Sequence, residues 1–262
     1  RCHALWMLDV LQRVEAAELV DALADNEPGL RVAALKIADQ YLGLDAQPEL
    51  IAALPRLVDD PNEWVRMQLA FTLGESDDLQ AFAALARLLR RDVGNAWIRA
   101  AADSSLADHA GRMFVELAGD AAFAGDSQGA SYLSSLVGMI GRRNDPQEVQ
   151  QALDIIAGAD ALGGDGRRRQ LLIQLGGAVR GAGGNLLAST DLPDSARAFL
   201  NQQMQWASDT APAAAAGASD RVAALRMLAW GDASGARAAL TAGLDRAAPE
   251  GVQRAALDMA AA

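Results

Sequence analysis

Apolar residues recur along this chain at three- and four-residue steps. Leu5, Leu8 and Leu11 form one series, Leu19 to Leu23 a second, and Leu50, Ile51, Leu54, Leu57 and Val58 a third. This spacing places them on one face of an α-helix, where side chains three and four apart lie together. No stretch alternates apolar and polar residues with the β-branched enrichment that strands require. The pattern predicts an all-α protein.

Capping residues and prolines divide the pattern into elements. Pro28 stands where the first residue of a helix should be, and that helix is expected to run through Leu35 to about Leu44. Pro48 opens its partner, in which Pro55 is a conflict that predicts a kink or an early stop. Asp60-Pro61-Asn62-Glu63 reads as a helix start, with Asp60 as cap, Pro61 next and Glu63 reaching back; Asp145-Pro146-Gln147-Glu148 repeats it. Between them, Leu79, Phe82, Ala86 and Leu89 make the apolar stripe of a helix over about 77–91, with Arg90 and Arg91 at the end where the helix dipole favours cations. Asn95 caps the next helix, through Leu106, and a shorter one covers 111–118.

Further along, Gly125–Gly129 reads as a loop, and Tyr132, Leu133, Leu136, Val137 and Ile140 as a helix ending at Arg142-Arg143. Val149, Leu153 and Ile156 should face the core. Residues 158–166 read as a glycine-rich turn and 181–191 as a second loop, with helices over 167–180 and 193–208. Two last helices are expected over 233–246 and 250–260, the latter turning Val252 and Leu257 inward.

One block comes back. EPGLRVAAL (27–35), DPNEWVRMQLAFTLGE (60–75) and NAWIRAAADSSL (95–106) align so that Arg31, Arg66 and Arg99 fall 35 and 33 residues apart, each directly after Leu30, Val65 or Ile98. Trp64 and Trp97 share the 33-residue step, and RVAAL returns at 221–225. A fixed period of this size marks stacked repeats. The expected architecture is an α-α superhelix of about seven helical hairpins forming a single solenoid over 1–262, clearest over 1–119, degenerate over 120–215 and returning over 216–262.

The ankyrin T-P-L-H signature and the Trp–Leu-Gly–Tyr spacing of tetratricopeptides are both absent. The turn followed by an apolar residue, Arg, then Ala and Leu resembles the short form of HEAT repeats. The resemblance implies a ladder between neighbouring repeats, built from an Asp in the turn and the Arg of the following helix. Asp60 and Arg66 stand at those positions, and Arg31 and Arg99 at the arginine's. More narrowly, ALWMLDVL (4–11), WVRMQLAFTLGE (64–75) and WIRAAADSSL (97–106) resemble the HEAT-like middle segment of large bacterial membrane-bound dehydrogenase-type proteins. There a sugar-dehydrogenase-like propeller precedes the repeats and a c-type cytochrome domain follows, which implies an extracytoplasmic location. The likeness is best over 1–110 and weak after 120. No C-x-x-C-H occurs, since Cys2-His3 lacks the first cysteine, so haem attachment does not carry over.

Composition narrows the function. At 262 residues and 51% hydrophobic content the chain can bury a sizeable core, and no apolar run reaches the ~18–20 residues of a spanning helix. A net charge of −11, with Lys36 the only lysine, opposes nucleic-acid binding, which rests on clustered cations. With Cys2, His3 and His109 as the only cysteine and histidines, neither a disulfide nor a metal cluster of credible spacing is expected. The chain begins at Arg1 without a methionine or a signal-like segment and is expected to be a piece of something longer.

Several features invite chemistry. Gly163-Gly164-Asp165-Gly166 and Gly181-Ala182-Gly183-Gly184 lack both the Lys of a phosphate loop and the strand before a dinucleotide fingerprint; helix-connecting turns account for them better. Trp64 and Trp97 read as aromatic packing between repeats, with a ligand-stacking pair as the alternative. Arg167-Arg168-Arg169, near a helix start, reads as a solvated face, with a docking patch for an acidic partner as the alternative. His109 follows Asp108 with no nucleophile placed beside it. Glu15, Glu18 and Asp21 share a helix face, and acid–base work would need a pocket around them. The expectation is a non-catalytic segment with no catalytic, cofactor or metal residues, whose partner is another protein or neighbouring domains of the same polypeptide. The alternatives are a free-standing adaptor, or a HEAT-like enzyme of the bilin-lyase or DNA-glycosylase type.

Overall fold

A computed structural model describes residues 1–42, 47–158, 160–188, 192–230 and 236–261. They hold sixteen α-helices and, among the described residues, no strand. The helices form two compact units, Arg1–His109 and Ala110–Ala262.

The first unit contains α1 (Cys2–Val10), α2 (Ala16–Leu23), α3 (Pro28–Ala38), α4 (Pro48–Ala53), α5 (Glu63–Leu73), α6 (Leu79–Asp92) and α7 (Ala96–Ser105). Helices α1, α3, α5 and α7 pack one on the next in a single layer, and α2, α4 and α6 form the second. This is the hairpin stacking that the repeat predicts. Leu19, Leu35, Leu50, Leu69, Leu89 and Ile98 are sealed between the layers.

Local chemistry sets the boundaries. Pro28 is the first residue of α3, as expected, and the Glu27 side chain accepts the Gly29 N–H. α3 stops at Ala38 and tightens into a 3-10 turn over Asp39–Tyr41; its expected end near Leu44 lies outside the described residues. Pro55 acts as an early stop, because α4 gives way to a 3-10 segment over Leu54–Asp59. In α6 the buried stripe is Ala81, Ala84, Leu85, Ala86, Leu88 and Leu89, which includes the expected Ala86 and Leu89, whereas Phe82 is half-buried and Leu79 exposed. Leu79 is the first helical residue, and the face that meets the core begins two residues later.

The second unit contains α8 (Ala110–Ala118), α9 (Ala121–Gly125), α10 (Ser127–Arg143), α11 (Pro146–Gly158), α12 (Asp165–Gly181), α13 (Asp194–Thr210), α14 (Ala218–Leu228), α15 (Ala236–Gly243) and α16 (Glu250–Ala260). Helices α10, α12, α14 and α16 pack in succession, with α8, α11 and α13 as a second row. The loop expected over Gly125–Gly129 is a single residue, Asp126: its carboxylate accepts the Gln128 and Gly129 N–H groups and starts α10 there. Val149, Leu153, Ile156 and Val252 are buried as expected, but Leu257 is exposed. The inner face of α16 is carried by Val252, Ala255, Ala256 and Met259. Part of the expected 181–191 loop and the start of the expected 233–246 helix lie outside the described residues.

Candidate functional site

The first unit is threaded by a series of arginine–aspartate contacts between repeats. Arg31 donates from Nε to Asp60 Oδ2 and from Nη2 to Asp60 Oδ1, both at 2.7 Å. Arg66 does the same to Asp92, at 2.6 and 3.0 Å. Arg1 pairs with Asp25 in the same sense. Each ladder arginine also donates to a main-chain oxygen six residues earlier: Arg31 to Asp25, Arg66 to Asp60 and Arg99 to Val93. The bidentate fit of guanidinium to carboxylate suits a buried pair, and the Asp92 hydrogen bonds push the Arg66 pKa above its usual value.

The carboxylate of Asp60 thus belongs to the arginine one repeat earlier, while Arg66 takes only its main-chain oxygen. Asp92 escaped the sequence reading although its signal was there. Asp25, Asp60 and Asp92 stand 35 and 32 residues apart, within one residue of the arginine steps of 35 and 33. In the second unit Arg221, in the returning RVAAL, is buried too, but it donates to the carbonyls of Ala211 and Ala242 and meets no carboxylate in those bonds.

Because Asp60 is held by Arg31, it does not cap α5 as expected. It accepts the Asn62 N–H, and Asn62 becomes the cap, its Oδ1 accepting from Trp64 and Val65. The parallel motif keeps its cap: Asp145 accepts from Gln147 and Glu148 and starts α11 at Pro146, while the Glu148 carboxylate lies 3.7 Å from Arg143 Nη1. Asn95 caps α7 as expected, accepting from Trp97 and Ile98.

Trp64 and Trp97 are not packed between repeats. They are 60% and 72% exposed and line one small cleft of about 110 Å³ with Glu63, Met67 and Asn95. Both are the second residue of their helices, α5 and α7, so their side chains leave the N-terminal turns beside the buried Val65 and Ile98 rather than entering the core. The Asn95 Nδ2 donates to Glu63 Oε2 at 3.4 Å, so the two polar residues lining the cleft are joined to each other.

The other candidates are absorbed by the fold. The Arg167–Arg169 run is neither a solvated face nor a free patch. Arg167 donates to the Ala124 carbonyl, Arg168 binds Asp165 and the Ala157 carbonyl and lies 5.0 Å over the Phe199 ring, and Arg169 donates to Gln203 and lies 3.4 Å over Trp206. The glycine clusters are helix punctuation: Gly164 precedes α12, and Gly183, at φ +81°, closes it with Gly184. His109 Nε2 is 3.3 Å from Asp77 Oδ1 at the surface. Glu18 accepts the Glu15 N–H at the start of α2, a capping role.

A broad cleft of about 840 Å³ beside α2, α3 and the Leu54–Asp59 turn is lined by Asp21, Asp25, Asp59 and Asp60. Three of these are already matched: Asp25 by Arg1, Asp60 by Arg31, and Asp59 by Arg87 and Arg91. Among the described residues no group of three or more His, Cys, Asp or Glu is placed to hold a metal ion. No described helix is long and apolar enough to cross a membrane. The largest carboxyl shift lies at Asp39. Burial raises the Asp39 pKa to about 6, with Glu75 adding repulsion and Thr72 and Lys36 offsetting part of it.

Stacked helical pairs tied by a periodic ladder define an all-α repeat protein. Residues 15–107 match the family of HEAT repeats, and over that stretch the chain is HEAT-like. No curated protein matches it.

Proposed function

We propose that this chain is a non-catalytic HEAT-like scaffold that holds a protein partner or neighbouring domains of its own polypeptide. The observation that carries this reading is the division of labour in the first unit. Its buried ionic groups, Arg31, Asp60 and Arg66, bind one repeat to the next, while the large exposed aromatics Trp64 and Trp97 recur at the repeat interval. A stack of this kind presents an extended surface on a stiff frame. The test is retention of a protein by the immobilised chain, together with native mass spectrometry of the purified chain. A retained protein and a bare chain mass are expected; a co-purifying pigment or nucleotide with no protein retained would overturn the reading.

A finer version makes it the spacer between a dehydrogenase-like propeller and a c-type cytochrome domain. It rests on the resemblance of 4–11, 64–75 and 97–106 alone. The flanking reading frame decides it: a propeller upstream and a C-x-x-C-H downstream support it, and any other pair of neighbours removes it.

A further inference from the structure

We propose that the cleft between Trp64 and Trp97 receives a single arginine side chain presented by a protein partner. The proposal rests on the scaffold reading and names the chemistry of its contact.

Size excludes the larger occupants. Pockets that bury drug-sized ligands run to about 300–1,000 Å³, and this cleft is about 110 Å³. It has room for one side chain. Trp64, Trp97 and Met67 line it, together with Asn95 and the acidic Glu63. Flat π-faces beside an acid attract a planar cation.

Charge points the same way. Among the described residues Glu63 has only the neutral Asn95 amide as hydrogen-bond partner. Arg66, whose charge it feels, is committed to Asp92. The N-terminal ends of α5 and α7 carry the opposite partial charge and on their own would favour an anion. Their leading N–H groups are already taken, however, by the side chains of Asn62 and Asn95. That leaves the full charge of Glu63 to set the local sign, on a chain of net charge −11. The same pairing is already formed inside the second unit, where Arg169 covers the Trp206 ring at 3.4 Å. Trp64 and Trp97 have no such cover among the described residues.

The frame supports the geometry. The two tryptophans ride on neighbouring repeats, and the Arg66–Asp92 pair ties the body of α5 to the last residue of α6, on the turn that leads into α7. The ladder thus fixes the two repeats that carry the tryptophans, which lowers the ordering cost of receiving a side chain.

The test uses the full 262-residue chain, ¹⁵N-labelled. The probe is acetyl-Ala-Ala-Arg-Ala-Ala-amide, with its neutral citrulline analogue as control. The indole N–H signals of Trp64 and Trp97, assigned from the Trp64→Ala and Trp97→Ala variants, should move with the arginine peptide and stay still with the citrulline one. Trp97→Ala and Glu63→Gln should each weaken binding roughly three- to thirtyfold with unchanged helix content, since both side chains are exposed. Equal response to both peptides, shifts confined to other indoles, unaltered affinity in Trp97→Ala, or no response at all would each overturn the proposal. If the cleft fails this test but the immobilised chain still retains a protein, the scaffold reading stands without it. If no protein is retained either, both fall.

Discussion

Arg31 and Asp60, 29 residues apart in sequence, face each other across two repeats through a pair of parallel 2.7 Å hydrogen bonds, with less than a tenth of either side chain exposed. A buried pair of this kind need not add net stability over a well-packed apolar pair, because both ions lose their water. Removing one partner is different: it strands the other charge. Asp60→Ala is expected to cost about 3–5 kcal/mol, read as lost hydrogen-exchange protection in α3 and α5. Arg31→Met with Asp60→Leu should recover most of that loss. If the single and double variants are equally damaged, the pair is not coupled.

The ladder also shows how far the sequence could be read. The arginine period announced stacked repeats because one residue type recurred beside one apolar position. The aspartate period was equally regular at Asp25, Asp60 and Asp92, but a carboxylate near a helix end reads as a cap until its partner is seen. Which atom pairs with which depends on the repeat-to-repeat stagger, and this is tertiary geometry. Trp64 and Trp97, read as packing between repeats, are exposed for a related reason. Adjacent positions in a helix point about 100° apart, so burial of Val65 and Ile98 turns their neighbours outward. The second unit was the least legible as a repeat, because the block that marks the period in the first unit does not return there until Arg221.

Close helix approach sets the next expectation. A Cβ on Gly74, just past α5, would sit 2.1 Å from the Ser105 Cβ at the end of α7. In the second unit a Cβ on Gly176 would sit 2.6 Å from the Trp230 ring. Neither neighbour is a flexible chain end, so the helices themselves must separate. Gly74→Ala and Gly176→Ala are each expected to destabilise by about 1–3 kcal/mol, with the loss confined to the altered unit in hydrogen exchange. A Ser105→Gly change should relieve only part of the Gly74→Ala loss, because the Ser105 Cα would still lie 2.8 Å from the new Cβ, and should leave Gly176→Ala untouched.

Asp39 gives the fold a pH dependence of definite sign. Its folded pKa is about 6 against an ordinary 3.8, so between those values the folded chain holds a proton that the unfolded chain has released. Stability from this group is complete below the lower value and is lost as pH rises through the upper one. The shift converts to about 3 kcal/mol at most, and partial solvent contact reduces this to about 1–2 kcal/mol. Asp39→Asn should therefore be more stable than the parent near neutral pH and the two should converge near pH ~4. Urea unfolding at a series of pH values measures it, and a constant difference across the range would rule the assignment out.

The two Asp-Pro-x-Glu starts should respond differently to the same kind of change, because only one uses its aspartate as a cap. Asp145 holds the first N–H groups of α11, and Asn62 holds those of α5. Asp145→Ala and Asn62→Ala should each cost about 1 kcal/mol, the usual worth of an N-cap, and the fraying should stay in the first turn. Asp60→Ala should instead loosen α3, whose Arg31 loses its partner, more than the start of α5, which keeps its own cap. Amide exchange at Val65 and at Leu35 separates the two effects. A loss that is largest at Val65 in Asp60→Ala would return the capping role to Asp60.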